Sequence, residues 1–319
     1  MKYKEDIIQR FWDYQKTKFP NYRYYFETSK SKNSRPPVLH KESEWLNVIM
    51  DPKSNQQEIL ALLNLIPKYE RHRWYRSFTS SQVLAQSILG NLKIHQKLDY
   101  LNQILDDEFN EPLLNNINTS SAEFSLEYKV NYLNEPRQTS LDAYLNDGYK
   151  IAIECKFTEE DVGNCSRPKL TIKDSNYNSD FCNGSYSFQN NRKERCSLTE
   201  IGVLYWRYIP QLFNWQNDSD HPTCPLNSTY QLVRNILSAC IKQDGTLSES
   251  NGHALLIYDE RNPAFQNNGK VSIAYQFTKD SLFNKKLLRK CSWQKIVNHL
   301  RYNNALDWLT SEVNNKYGL

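Results

Sequence analysis

The chain of 319 residues predicts an α/β (α+β) protein built on a central mixed sheet with helices around it. Three observations predict it. Apolar residues recur at helical spacing up to about residue 106, alternate over 122–157, and return to helical spacing afterwards. The stretch "YKIAIECKF" (149–157) is apolar on both faces apart from one carboxylate and its flanking lysines, the mark of a strand covered on both sides. The resulting order is helix, three strands, helices and a further strand, flanked by helical segments.

Residues 1–19 carry an amphipathic helical pattern, followed by a polar, Tyr-rich connector between Pro20 and Pro37. Helices are expected at about 41–50 and 54–66, the second opened by Ser54 with Gln57 three residues on, a capping box. A helix capped by Ser80 or Ser81 places Val83, Leu84, Ile88 and Leu89 on one stripe, and another fits 95–106. Strands follow at 122–133, 139–145 and 149–157, the last two joined through Asp147-Gly148, a strong hairpin signal. Beyond an Asn-, Ser- and Cys-rich region at 158–197, helices are expected at 199–213 and 225–242. A strand then fits 253–258, and two closing helices fit 292–300 and 304–316. Three segments result: a helical N-terminal extension (1–70), a core (71–265) and a helical C-terminal extension (266–319).

Composition excludes several classes. A net charge of +4 is too small for a polybasic nucleic-acid coat, yet a local basic groove is compatible with it. Nine glycines and the absence of G-x-G-x-x-G and G-x-x-x-x-G-K-[ST] argue against a phosphate-cradling loop. No run of about 18 apolar residues is present, so no membrane span is expected. The charged start "MKYKEDIIQRFWDY" does not resemble a signal peptide. Seven cysteines with no C-x-x-C fit a reduced compartment, and the cytoplasm is the expected location.

The hairpin raises a chemical question. Glu154 and Lys156 are two apart on one strand and share a face, and the Asp147-Gly148 turn brings Asp142 alongside them. On an exposed strand, E-x-K would be a solvated pair worth under about 1 kcal/mol. On a strand this apolar, three charges without a ligand are costly. Two converging carboxylates suit a hard divalent cation, and a neighbouring lysine suits charge developing on a phosphate.

"TSLDAYL…YKIAIECKFTE" resembles the PD-(D/E)XK nuclease superfamily, with Asp142, Glu154 and Lys156 on its signature positions and Leu141 where a proline often stands. "HRWYRSFTSSQVLAQSILGNL", "IECKFTE" and "LLIYDERNPAF" together resemble a bacterial predicted-nuclease family within it, over about 70–265. The resemblance implies a restriction endonuclease-like αβββαβ core and a Mg²⁺- (or Mn²⁺-) dependent deoxyribonuclease. Asp142, Glu154 and the backbone carbonyl of Cys155 would ligate metal, and Lys156 would orient and help activate water. The first helix of that fold often adds a polar residue to the metal shell. Gln82 is the candidate here, with Glu127 of the first strand a second; the ordinary readings are a structural amide and a solvent-facing strand residue.

In "RHRWYR", Arg71, Arg73 and Arg76 can grip phosphates while Trp74 or Tyr75 stacks on a base or sugar; the plainer reading is a helix entry with arginines paired to nearby acids and Trp74 in the core. Arg234 is a further candidate for phosphate, although a solvated or ion-paired arginine is the commoner fate. Cys165, Cys182, Cys196 and Cys224, with His221, have the composition of a structural Zn²⁺ site. Their spacings of 17, 14 and 28 match no standard finger, and buried cysteines are the favoured reading. Cys155 points away from Glu154 and Lys156, which disfavours a cysteine protease. The expected partner is DNA, with no membrane, and cutting both strands of a duplex would favour a homodimer. The alternative is a catalytically inert nucleic-acid-binding or interaction protein on the same fold.

Overall fold

The computed structural model describes residues 2–28, 34–115, 117–136, 138, 140–165, 173, 196–215 and 223–319. The helices are α1 (Lys2–Lys18), α2 (Gln56–Asn64), α3 (Ser81–Ala85), α4 (Asn91–Ile94), α5 (Asp99–Asn102), α6 (Ser197–Glu200), α7 (Tyr205–Leu212), α8 (Leu226–Cys240), α9 (Lys270–Ser281), α10 (Trp293–Tyr302) and α11 (Asp307–Tyr317). The strands are β1 (Glu123–Lys129), β2 (Ser140–Asn146), β3 (Lys150–Cys155), β4 (Gly252–Tyr258) and β5 (Leu288–Ser292). They form one sheet in the order β1-β2-β3-β4-β5, antiparallel through β3 and parallel from there on. The predicted α-β-β-β-α-β order is present as α3, β1, β2, β3, α8 and β4.

The chain packs as three layers because β3 is buried along its whole length and needs cover on both faces. One apolar cluster joins Ile151, Ile153 and Cys155 to α1, α3, α4, α10 and α11. The other joins Ala152, Tyr144 and Leu256 to α7, α8 and α9. The outer segments of the chain therefore share the cluster of the strands. The segment 266–319 is not purely helical, since it supplies β5 as well as α9, both missed in the sequence pattern. The 41–50 segment is a 3-10 helix (Lys41–Asn47), and only one turn forms within 95–106. The capping box of α2 lies one residue later than expected: Asn55 accepts from the Glu58 amide, and Glu58 accepts from the Asn55 amide. Ser80 caps α3 by accepting from the amide of Val83 at 3.3 Å. Among the described residues, no helix is long and apolar enough to cross a membrane.

Candidate active site

The hairpin brings its three charged residues together. Ala143 pairs with Ile153, so the next position of each strand sets Asp142 opposite Glu154. The β2–β3 ladder stops there, and the Asp142 carboxylate takes over, accepting the Cys155 amide at 2.6 Å. Lys156 lies beyond the end of β3, fixed through its backbone: its amide donates to Ile257 (2.7 Å) and its carbonyl accepts from the Trp293 indole (3.0 Å). Asn262 of the "DERNPAF" turn donates to the carbonyls of Phe157 and Glu159, pinning the chain just after Lys156.

Glu154 is almost fully buried and satisfied on all sides. Its Oε1 meets Lys156 Nζ at 2.9 Å, and its Oε2 accepts from Arg234 Nη2 at 3.2 Å and Asn235 Nδ2 at 3.0 Å. Lys156 also donates to Gln231 Oε1 at 2.9 Å. Helix α8 thus turns Gln231, Arg234 and Asn235 onto the end of β3. Burial opposes ionisation of Glu154, but Lys156 and Arg234 outweigh it and hold the carboxyl below its ordinary value. For Lys156 burial pulls the other way too, and Glu154, Glu159 and Asp142 together keep the ammonium above its usual range.

The opposite edge of the site is repulsive. Burial, reinforced by Glu154 and Glu127, pushes the Asp142 carboxyl well above its usual range. Glu127 is raised by burial as well, with Ser140 and Gln82 bonding to its charged form and pulling it back. Ser140 donates a short hydrogen bond to Glu127. The backbone of Glu127 is left-handed, at φ +52°, inside a strand. Pairing of β1 with β2 runs from Glu123↔Asn146 to Leu126↔Ala143, skips Glu127 and Asp142, and resumes at Tyr128↔Leu141. Side-chain alternation slips at that step. Leu126 packs in the cluster of α1 and α3, while Tyr128, two residues on, stacks on Tyr144 at 4.1 Å in the other. A non-glycine residue held this way costs about 1–3 kcal/mol and marks a place where the surroundings dictate the backbone.

The remaining candidates divide. Gln82, in the first turn of α3, reaches Glu127, and its amide also accepts from the His72 amide and donates to the Glu70 carbonyl. Arg73 is exposed and stacks on Trp74 at 4.6 Å, with Trp74 48% exposed. Arg71 and Arg76 are corrections. Arg71 is consumed by Glu44 (2.6 Å) and by the carbonyls of Ile66 and Leu63, and Arg76 pairs with Glu27 and the Leu39 carbonyl. Arg234 is neither solvated nor open to a long polymer; it is the buried partner of Glu154. Asn235, Asn262 and Trp293 escaped the sequence reading, though polar residues at 231, 234 and 235 of an otherwise apolar helix were a usable signal. Cys155 belongs to the core cluster, and burial, then Asp142 and Glu154, drive its thiol well up, which removes it as a nucleophile.

Asp142, Glu127 and Glu154 offer oxygen donors alone, the chemistry Mg²⁺ and Mn²⁺ take, and a cation would favour the ionised form of an Asp142 carboxyl that burial first, then Glu154 and Glu127, push up. The fit is one of donor type. Among the described residues, no three His, Cys, Asp or Glu side chains are drawn together at metal-holding distance, and Glu154 is turned toward its cations. Of the cysteine set, Cys165, Cys196 and Cys224 are described, while Cys182 and His221 lie outside the described residues.

No curated protein and no solved structure matches the chain. A family model does, over residues 12–318. That match runs from the second half of α1 through α11 and takes in every strand of the sheet, so the chain belongs to the REase-ARP family, described as "Restriction Endonuclease associating with ARP".

Proposed function

We propose that the chain is a metal-dependent endonuclease of the PD-(D/E)XK type that hydrolyses phosphodiester bonds in DNA. One observation carries the reading: Asp142, Glu154 and Lys156 sit together at the end of the central hairpin, in a protein of a restriction-endonuclease family. Asp142, Glu127 and the Cys155 carbonyl would hold Mg²⁺ or Mn²⁺, with Glu154 joining on release from Arg234. The cation would supply charge neutralisation at the phosphate. Lys156 stays an ammonium at neutral pH, so it donates hydrogen bonds to the attacking water or the phosphoryl oxygens rather than accepting a proton. In the reaction, water oxygen forms the new bond to phosphorus and gives up a proton to solvent, the ester P–O bond breaks, and the leaving alkoxide takes up a proton from solvent, so the protons balance. Arg73 and Trp74 would contact the nucleic acid outside the site. A duplex cut on both strands would call for two copies.

One observation favours a second reading. Glu154 is already neutralised by Lys156 and Arg234, as it would be in a protein that binds DNA without cleaving it. Plasmid nicking with Mg²⁺ or Mn²⁺, against EDTA, separates the two. For an endonuclease, Asp142→Ala and Lys156→Ala each reduce the nicking rate by about 100-fold or more while metal-free gel-shift affinity is kept. DNA binding with no metal-dependent nicking would establish the binding protein instead.

A further inference from the structure

We propose that Cys165, Cys196 and Cys224 form a structural zinc site that fixes the start of α8. The three side chains come from three separate stretches of chain, yet all line one small cavity of about 10 Å³, together with Ser197, Leu198, Leu226 and Asn227. Each is buried. A second observation points to a ligand there: the hydroxyl of Ser197, whose residue is 1% exposed, has no hydrogen-bond partner among the described residues. An orphaned hydroxyl on an apolar wall is costly, and it is a natural donor to a metal-bound thiolate.

Three thiolates supply three of the four places in a tetrahedral zinc shell, and sulfur is the donor that selects zinc over the hard cations suited to the carboxylates. The sulfurs surround the cavity without meeting at bonding distance, and metal–sulfur bonds of about 2.3 Å would draw them inward. The consequence for the fold is specific. Cys224 lies just before α8, and Val162, three residues before Cys165, accepts the Gln231 amide at 3.1 Å. A metal there would tie the chain leaving β3 to the helix that delivers Gln231, Arg234 and Asn235 onto Lys156 and Glu154. Loops of roughly 30 residues closed this way lose much of their unfolded-state freedom.

The test uses the full chain, purified under reducing conditions without chelator and reconstituted with Zn²⁺. Mass spectrometry of bound metal should find one zinc per chain, lost in Cys165→Ser, Cys196→Ser and Cys224→Ser and kept in the control Cys240→Ser. Should those variants fail to fold, wild-type protein still decides. Titration of its thiols with an organomercurial should release zinc in step, and Co²⁺ in place of zinc should show thiolate-to-metal charge transfer. A reconstituted wild type without zinc overturns the proposal. So does zinc retained by Cys196→Ser, or a disulfide between any two of the three.

Discussion

Glu154→Gln is the sharpest perturbation of the site, because it keeps shape and removes one charge. In the folded protein two Glu154 oxygens serve three donors, Lys156 at 2.9 Å, Asn235 at 3.0 Å and Arg234 at 3.2 Å. Glutamine keeps one acceptor oxygen and points an NH₂ group at a second set of donors. Two buried cations, with Arg234 2% exposed, then lose their counter-charge. Removing one partner from a buried ion pair costs about 3–5 kcal/mol, most of it the stranded charge. At roughly 2 °C per kcal/mol for a chain of this size, the melting temperature should fall by about 6–10 °C. Urea unfolding followed by far-UV circular dichroism and tryptophan fluorescence measures the cost, with coincident transitions as the check on two-state behaviour. Arg234→Met should also destabilise, and Glu154→Gln with Arg234→Met should cost less than the sum, the shortfall lying at about 0.5–3 kcal/mol. A Glu154→Gln protein within about 1 kcal/mol of wild type, or strictly additive costs, would refute the network as the source of order here.

Asp142→Asn should act in the opposite sense. A carboxyl raised in the folded state lends stability that is complete below its unfolded value of about 3.9 and is lost as pH rises through the folded value. The variant should therefore gain stability on wild type between about pH 5 and about pH 8, read by thermal melts across that range; an unchanged difference would count against the repulsion. Saturating Mg²⁺ or Mn²⁺ should stabilise wild type by about 2.7 kcal/mol at a hundred times Kd, and Asp142→Asn should abolish the shift seen in differential scanning fluorimetry. Arg73→Ala and Trp74→Ala should weaken DNA binding, Arg73→Ala lowering the salt slope by about one unit. Arg71→Ala should instead lower stability with little change in gel-shift affinity, since Arg71 is spent on Glu44.

The parts of the fold legible in sequence are those fixed by local rules. The hairpin combines strict alternation with Asp147-Gly148, and Gly148 sits at φ +83°, a conformation glycine adopts freely. β5 was not legible because "LRKCS" carries two adjacent cations; Arg289 is nonetheless 4% exposed, its guanidinium bonded to the Pro112 carbonyl far away in sequence. The fate of Arg71 and Arg76 was hidden for the same reason, their partners Glu44 and Glu27 lying 27 and 49 residues off. Composition suggested basic contacts, and tertiary pairing decided otherwise for two of the three arginines. Glu127 illustrates a different limit: "EFSLEYK" reads as an ordinary strand, and nothing in it announces a left-handed residue at its fifth position.

That left-handed residue and the raised Asp142 carboxyl occur at the same step of the β1–β2 ladder, where the pairing skips. On the β3 side, Glu154, Lys156, Arg234 and Asn235 satisfy one another and hold their geometry without help. On the β1–β2 side, backbone strain and carboxylate repulsion both work against the fold. A sheet shaped for stability alone would place a glycine or an apolar pair at these two positions, at a saving of about 1–3 kcal/mol for the backbone. Burying acidic groups against one another is tolerable where something cationic, or a proton, completes the arrangement. On the proposed reading, the self-satisfied half would serve as the anchor and the strained half as the seat of the cation, with Asp142 and Glu127 as its donors and Lys156 beside them.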